Sequence, residues 1–115
     1  MTDFRNLEAY KQGRLFNKNV YQLLKNHPEI DRGLRDQFSR ASTSILLNIA
    51  EGSGRFAPKD KKHFYVVSRA SALECMAIVD ILTDIEIISV ELAEENIQHL
   101  DLISKMIFGI IRVIM

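Results

Sequence analysis

Apolar residues recur at steps of three and four along most of the chain, which is the spacing of one face of an α-helix. The pattern is interrupted by Asn26-His27-Pro28 and again by Gly52-Ser53-Gly54. We therefore predict four helices, near residues 7–26, 31–52, 58–86 and 90–114. Their short connections predict an all-α protein of one domain, residues 1–115, folded as an antiparallel up-down-up-down four-helix bundle.

Residues suited to helix ends support these boundaries. Asn6, Asp31 and Ser89 are each of a type that caps a helix N-terminus, and Pro58 fits a first helical turn. Gly13 lies inside the first helix, where glycine can allow the close approach of a neighbouring helix. We expect the Gly52-Ser53-Gly54 run to end the second helix.

The second predicted helix carries a polar stripe beside its apolar one. At about 100° per residue, five polar residues share one side of it: Gln37, Arg40, Ser44, Asn48 and Glu51. Leu46 and Leu47 lie beyond this stripe, so apolar residues border it on both sides. One interpretation is an exposed face with a stray leucine. The other is a polar network at a contact between helices or subunits, where every group finds a partner.

The third predicted helix has a carboxylate in the middle of its apolar stripe. Its expected inward residues are Phe64, Val67, Ser71, Glu74, Ile78, Ile81 and Ile85. A buried carboxylate must be paired, hydrogen-bonded or protonated. We therefore expect Glu74 to join the polar network of the second helix. Arg40 is the leading partner, with Ser44 or Asn48 in support.

The third and fourth helices have more apolar residues than one inward stripe can use. Those outside the expected stripes are Val66, Leu73, Met76, Val79, Leu82, Met106, Phe108, Ile111 and Val113. Because a helix of a monomeric bundle buries about one stripe, part of this surface is expected to be buried against other copies of the chain. The sequence thus predicts a homo-oligomer, without giving the number of its subunits.

Charge is unevenly distributed, although the formal net charge is zero. Residues 1–69 hold 13 Lys/Arg against 7 Asp/Glu, an excess of six positive charges, and residues 70–115 hold 2 against 8, an excess of six negative charges. A basic half can bind a polyanion; equally, the two halves can attract each other within the bundle or between subunits. The candidate nucleic-acid contacts are Arg55, Lys59, Lys61, Lys62 and Arg69.

The sequence offers no pattern of catalytic chemistry. No phosphate-binding glycine loop is present, and none of the three histidines follows a glutamate at the spacing used by di-iron bundles. Cys75 is the only cysteine and is expected to be a small buried residue. We predict no catalytic, cofactor-binding or metal site and no small-molecule substrate. Without a signal-like start or a long apolar run, we expect a cytoplasmic protein that does not contact a membrane.

Several short motifs together resemble a known family. Ser44-Ile45 and Asn48-Ile49-Ala50-Glu51-Gly52, preceded by Gln37 and Arg40-Ala41, are similar to the signature of the 23S rRNA intervening-sequence proteins. The likeness continues at Phe4 and Leu7, at Gly33-Leu34 and from Phe64 to Glu74. The chain departs from the family pattern at Ala70-Ser71, where Gly-Ser is usual, and at Ala57, where a serine cap is common.

The resemblance implies a fold, an assembly and a functional context. It implies a four-helix bundle that forms a ring-like pentamer. The family's association with intervening sequences in ribosomal RNA implies a non-enzymatic scaffold that binds RNA or DNA. The rival hypothesis is a homo-oligomeric protein-interaction module without nucleic-acid binding, which is favoured by the net neutrality of the chain and a pI near 6.8.

Overall fold

The computed structural model describes residues 3–114 as four long helices with no strand in that range. A short 3₁₀ turn, Phe4–Asn6, precedes the first helix. The helices are α1 (Glu8–Asn26), α2 (Arg32–Gly54), α3 (Pro58–Asp84) and α4 (Val90–Ile114). The four predicted helices are therefore confirmed, with boundaries within two residues of those expected.

Side-chain caps begin two of the four helices, α2 and α4. Asp31 Oδ1 accepts a hydrogen bond from Leu34 N at 2.9 Å, and Ser89 Oγ accepts one from Leu92 N at 3.1 Å, as the sequence predicted. The prediction that Asn6 caps α1 is wrong. Asp3 caps the 3₁₀ turn that contains Asn6, so Leu7 becomes the N-cap of α1 without a side-chain hydrogen bond.

The end of α3 uses an acidic residue where a glycine is usual. Glu86 has a φ of 62°, in the left-handed region. Ile87 N donates to Leu82 O at 2.9 Å and Glu86 N donates to Thr83 O at 3.0 Å, which is the Schellman arrangement. This arrangement satisfies the last carbonyls of α3 two residues earlier than the sequence predicted.

The four helices enclose a single apolar core. α2 packs against α1 and α3, and α4 packs against α3 and α1. The largest fully buried side chains, Phe16, Ile45, Ile49, Leu82, Leu100, Ile103 and Ile107, come from all four helices. Gly13 does allow close approach: a Cβ at this position would lie 2.9 Å from Leu46 Cδ2.

The inward face of α3 differs from the predicted stripe by about one residue. The buried positions are Tyr65, Ser68, Ser71, Ala72, Cys75, Ile78, Val79 and Leu82. Only Ser71 and Ile78 belong to the predicted set. Small side chains at the middle positions let α2 and α4 approach closely, while Tyr65 and Leu82 fill the core nearer the two ends. The helix is rotated accordingly, and Glu74 is turned outward.

Gly52 has a packing role rather than a terminating one. The helix continues through Gly54, and none of the described glycines has a positive φ. A Cβ on Gly52 would lie 2.9 Å from Tyr65 Cε2, so the absence of a side chain makes room for the ring from α3. The predicted end of α2 was correct to within two residues. Gly52 contributes by leaving room for Tyr65, and not by adopting a backbone conformation that other residues avoid.

Candidate nucleic-acid interface

Part of the predicted polar network exists at the contact between α2 and α3. The hydroxyls of Ser44 and Ser71 lie 2.8 Å apart, across the two helices. Asn48 Nδ2 donates to Ser44 Oγ at 2.9 Å and to Ser44 O at 2.8 Å. These half-buried groups are therefore satisfied by each other.

The remaining members of the α2 stripe lie at the surface. The side chains of Gln37 and Arg40 are exposed and make no hydrogen bond with any other residue in the range 3–114. Glu51 pairs with Arg55 at 3.1 Å, one helical turn away, with about half of each side chain exposed. The stripe thus combines a small network at Ser44 and Asn48 with an exposed polar face.

Glu74 does not have the buried position that was expected for it. Its side chain is exposed, and no ion pair joins it to Arg40 within the described residues. The prediction is wrong for the single chain because α3 is rotated by about one residue. Cys75, its neighbour, takes the buried position instead, and burial raises the pKa of that thiol to about 12.

Two buried polar contacts were not predicted from the sequence. Ser68 Oγ donates to Ile45 O at 2.7 Å, joining α3 to the backbone of α2. Ser42 Oγ donates to Asn17 Oδ1 at 2.7 Å, joining α2 to α1. The signal for Ser68 was an uninterrupted spacing of three and four through small and apolar residues, at Tyr65, Ser68, Ala72, Cys75, Val79 and Leu82.

The predicted basic residues fall into two groups. Four of them, Arg55, Lys59, Lys61 and Lys62, belong to the segment joining α2 and α3, which we call the α2–α3 corner (residues 51–64). Arg69 lies farther along α3, with its guanidinium 5.7 Å from the ring centroid of Phe108 on α4. Its Nε is buried without a hydrogen-bond partner in the described chain.

Lys61, near the start of α3, has a structural role at the end of α2. Its Nζ donates to Gly52 O and Ser53 O, both at 3.2 Å. The ammonium thus lies at the negative end of α2 and satisfies carbonyls that the helix leaves free. Lys61 is therefore a structural contact, whereas Lys59 is exposed and Lys62 is half-buried.

Aromatic rings lie among the cations of the corner. The Arg55 guanidinium is 4.6 Å from the ring centroid of Phe64, and the His63 ring packs edge-on against Phe64 with centroids 5.2 Å apart. Phe56 is 98% exposed. It was not among the residues predicted from the sequence, although its position between Arg55 and Pro58 was visible there.

Metal-ligand groups and membrane-spanning helices are both absent from residues 3–114. No three side chains of His, Cys, Asp and Glu there lie close enough together to hold a metal ion. In the same range, no helix is long and apolar enough to cross a membrane.

His99 is partly buried between α1 and α4, and burial lowers the pKa of its imidazole.

Fold and site together define a small four-helix protein with an exposed basic and aromatic corner. The chain belongs to the 23S rRNA-intervening sequence protein family, whose model matches residues 5–109. The resemblance drawn from the motifs is therefore confirmed. Among curated proteins, no match to this sequence was found.

A solved structure supports the same fold. It is the crystal structure of a protein with unknown function from the S23 ribosomal protein family of Bacteroides thetaiotaomicron VPI-5482. The match has a TM-score of 0.83 and 22% sequence identity, and it covers 90% of this chain and 95% of the other. At this identity the comparison is one of fold.

Proposed function

We propose that this protein is a non-enzymatic scaffold that binds nucleic acid through the α2–α3 corner, in the cytoplasm and as a homo-oligomer. The observation that carries the proposal is that Arg55 and Lys59 are both exposed within one short segment, with Lys62 one turn farther along α3. Arg69 follows on the same side of α3 by helical spacing. Exposed Val66 lies between Lys62 and Arg69 on this side of α3, so a polyanion at the corner would meet Arg55, Lys59 and Lys62.

The apolar surface of α3 supports assembly with further copies of the chain. Its outer stripe contains Val66, Ala70, Leu73, Ala77 and Ile81, spaced by three and four and all exposed. Val66, Leu73 and Ile81 each expose more than 40% of their surface. We propose that a second copy covers this stripe, in an antiparallel up-down-up-down bundle that repeats as a pentameric ring. The family resemblance implies five subunits. A ring would present one basic corner from each subunit, and binding through several corners at once would raise the affinity for a polyanion.

A second candidate function is a protein-interaction module that binds no nucleic acid. It is favoured by the use of Lys61 as a helix cap and by the pairing of Arg55 with Glu51, both of which reduce the free positive charge of the corner. The exposed acidic residues Glu91, Glu94 and Glu95 of α4 then provide a surface to which a basic half could bind. Under this hypothesis, the charge asymmetry serves contacts between subunits.

Binding across a salt series separates the two functions. The probes are a fluorescently labelled RNA hairpin and a DNA duplex. Phosphate contacts predict that affinity falls steeply with salt. The double variant Lys59→Ala/Lys62→Ala should lower the slope of log affinity against log salt by about one for each phosphate contact that it removes. Lys61 stays unchanged, because its substitution would also weaken the end of α2.

A charge-matched variant provides the control. Lys11→Ala/Lys18→Ala removes two exposed lysines from α1 and changes the net charge equally. It should leave the salt slope nearly unchanged. An equal reduction in both variants would assign binding to overall charge rather than to the corner. No binding at low salt would leave only the interaction module.

The mass in solution tests the assembly. Sedimentation equilibrium should give a multiple of the 13.2 kDa chain. A monomer at micromolar concentration would refute the homo-oligomer, and a dimer would refute only the pentamer. Leu73→Asp on the α3 stripe should dissociate the assembly, whereas Leu15→Asp, an exposed leucine of α1, should not.

A further inference from the structure

The most exposed large apolar side chain of the described chain lies at the α2–α3 corner. Phe56 is 98% exposed, in the three-residue connection between Gly54 and Pro58. Isolated apolar side chains are common at protein surfaces. This one differs because it is a whole aromatic ring, presented to solvent and directly preceded by a cation.

The surroundings of the ring are suited to a polymer that carries flat bases and negative charges. Arg55 and Lys59 flank Phe56 in the chain. Phe56 lines an open groove together with small and aliphatic residues, Leu47, Ala50, Gly54 and Ala57. Two carboxylates also line this groove: Glu51 is paired with Arg55, and Asp60 lies in the first turn of α3.

These features distinguish between forms of nucleic acid. Bases stack on aromatic side chains with little regard to sequence, since every base has a π-face. In a duplex, those faces are already stacked on each other. We propose that the α2–α3 corner binds single-stranded nucleic acid, with an unpaired base stacked on Phe56 and the adjoining phosphates contacted by Arg55 and Lys59. This inference rests on the proposed function and names the form of its ligand.

The absence of tryptophan from the chain permits a direct test. Phe56→Trp introduces a single tryptophan whose fluorescence is quenched when a base stacks on it. The probe is an oligouridine of about 20 nucleotides, compared with a blunt RNA duplex of the same length. We expect strong quenching by the single strand and little by the duplex. Val90→Trp places the reporter at an exposed position at the start of α4 and should show no quenching.

Two further substitutions separate stacking from apolar contact. Phe56→Leu keeps an apolar side chain without a π-face and should weaken oligouridine binding about tenfold, within the range measured for single stacked bases. Phe56→Tyr keeps the ring and should bind nearly as the unmodified chain does. Because the side chain is exposed, neither change should alter the thermal unfolding midpoint.

The outcomes distinguish this inference from the proposal on which it rests. If the unmodified chain binds neither single strand nor duplex at low salt, the proposed function fails and this inference with it. If it binds both equally, and Phe56→Leu binds like the parent, nucleic-acid binding stands and the stacking site is refuted. Weaker binding of Phe56→Leu together with a lower sedimentation mass would also overturn it, by assigning Phe56 to a contact between subunits.

Discussion

The contacts of α2 with α3 and of α1 with α4 differ in how closely the helices approach. Between α2 and α3, Ser68 reaches the backbone of Ile45 and the hydroxyls of Ser44 and Ser71 meet. Gly52 adds a position where no side chain could fit beside Tyr65. Small residues on both helices therefore allow a close contact in which hydroxyls satisfy buried polar groups.

The contact between α1 and α4 is more open. A cleft at one end of it is lined largely by amide and histidine side chains, including Asn19, Gln22, Asn26 and Asn96. Its direct polar link is between His99 Nε2 and Gln12 Oε1, 2.8 Å apart. His99 also packs edge-on against Phe16, with ring centroids 5.9 Å apart. The two helices share less contact than α2 and α3 do, so substitutions should be tolerated better here than between α2 and α3.

The largest effect is expected for Gly52→Ala. The new Cβ would lie 2.9 Å from the ring of buried Tyr65, so one of the two helices must shift. Overpacking of this kind costs about 1–3 kcal/mol of unfolding free energy. Urea unfolding at fixed protein concentration measures it. Gly54→Ala is the control, because nothing lies within 4 Å of its Cβ position. Equal stability of the two variants would contradict the close contact.

A smaller loss is expected for Ser68→Ala. The substitution removes the buried hydrogen bond to Ile45 O and should lower the unfolding free energy by about 1 kcal/mol. Ser39→Ala removes a hydrogen bond of similar type, to Asp36 O at 3.1 Å, on the exposed side of α2. This substitution should lower the unfolding free energy by only a few tenths of a kcal/mol. A reversed order would show that burial does not set the strength of these bonds.

Gly109→Ala should stabilise the chain. Gly109 lies inside α4 with nothing within 4 Å of its Cβ position, and alanine is favoured over glycine in a helix by about 0.5–1 kcal/mol. At Gly13 the same gain should be offset, because Leu46 Cδ2 would lie 2.9 Å from the new Cβ. If Gly109→Ala instead destabilises the protein, another copy of the chain packs against that face of α4.

The smallest effect is a pH dependence at His99. Burial lowers the pKa of His99 in the folded chain, so the unfolded chain binds a proton more readily. The stability that this difference contributes is fully present above the ordinary histidine pKa of about 6.5. It is lost as the pH falls through that value toward the lower pKa of the folded state.

The His99→Gln variant isolates this contribution. It keeps a side chain that can bond to Gln12 and should unfold with a flatter dependence on pH between about 7 and 5. His63→Gln, at an exposed position, should keep the parent's dependence. Identical pH profiles for His99→Gln and the parent would show that burial between α1 and α4 does not disfavour the protonated form of His99.

Local sequence was sufficient to predict the number of helices, most of their ends and the family. These depend on features of single segments: the spacing of three and four, a proline after His27, and oxygen-bearing caps at Asp31 and Ser89. The NIAEG run at 48–52 indicated the family without any coordinates. Each of these signals is contained within a few residues, so no long-range contact was needed to interpret it.

The side of α3 that faces inward could be established only from the packed helices. Two stripes of similar apolarity compete on this helix, and the choice depends on what α2 and α4 present to it. Small Ser68, Ala72 and Cys75 permit close packing, so they are buried and Glu74 is turned outward. The role of Lys61 was hidden for the same reason, because its partners are carbonyls at the end of another helix. The free energy gained by burying one face of a helix depends on both surfaces in contact. The sequence of a single segment specifies only one of them.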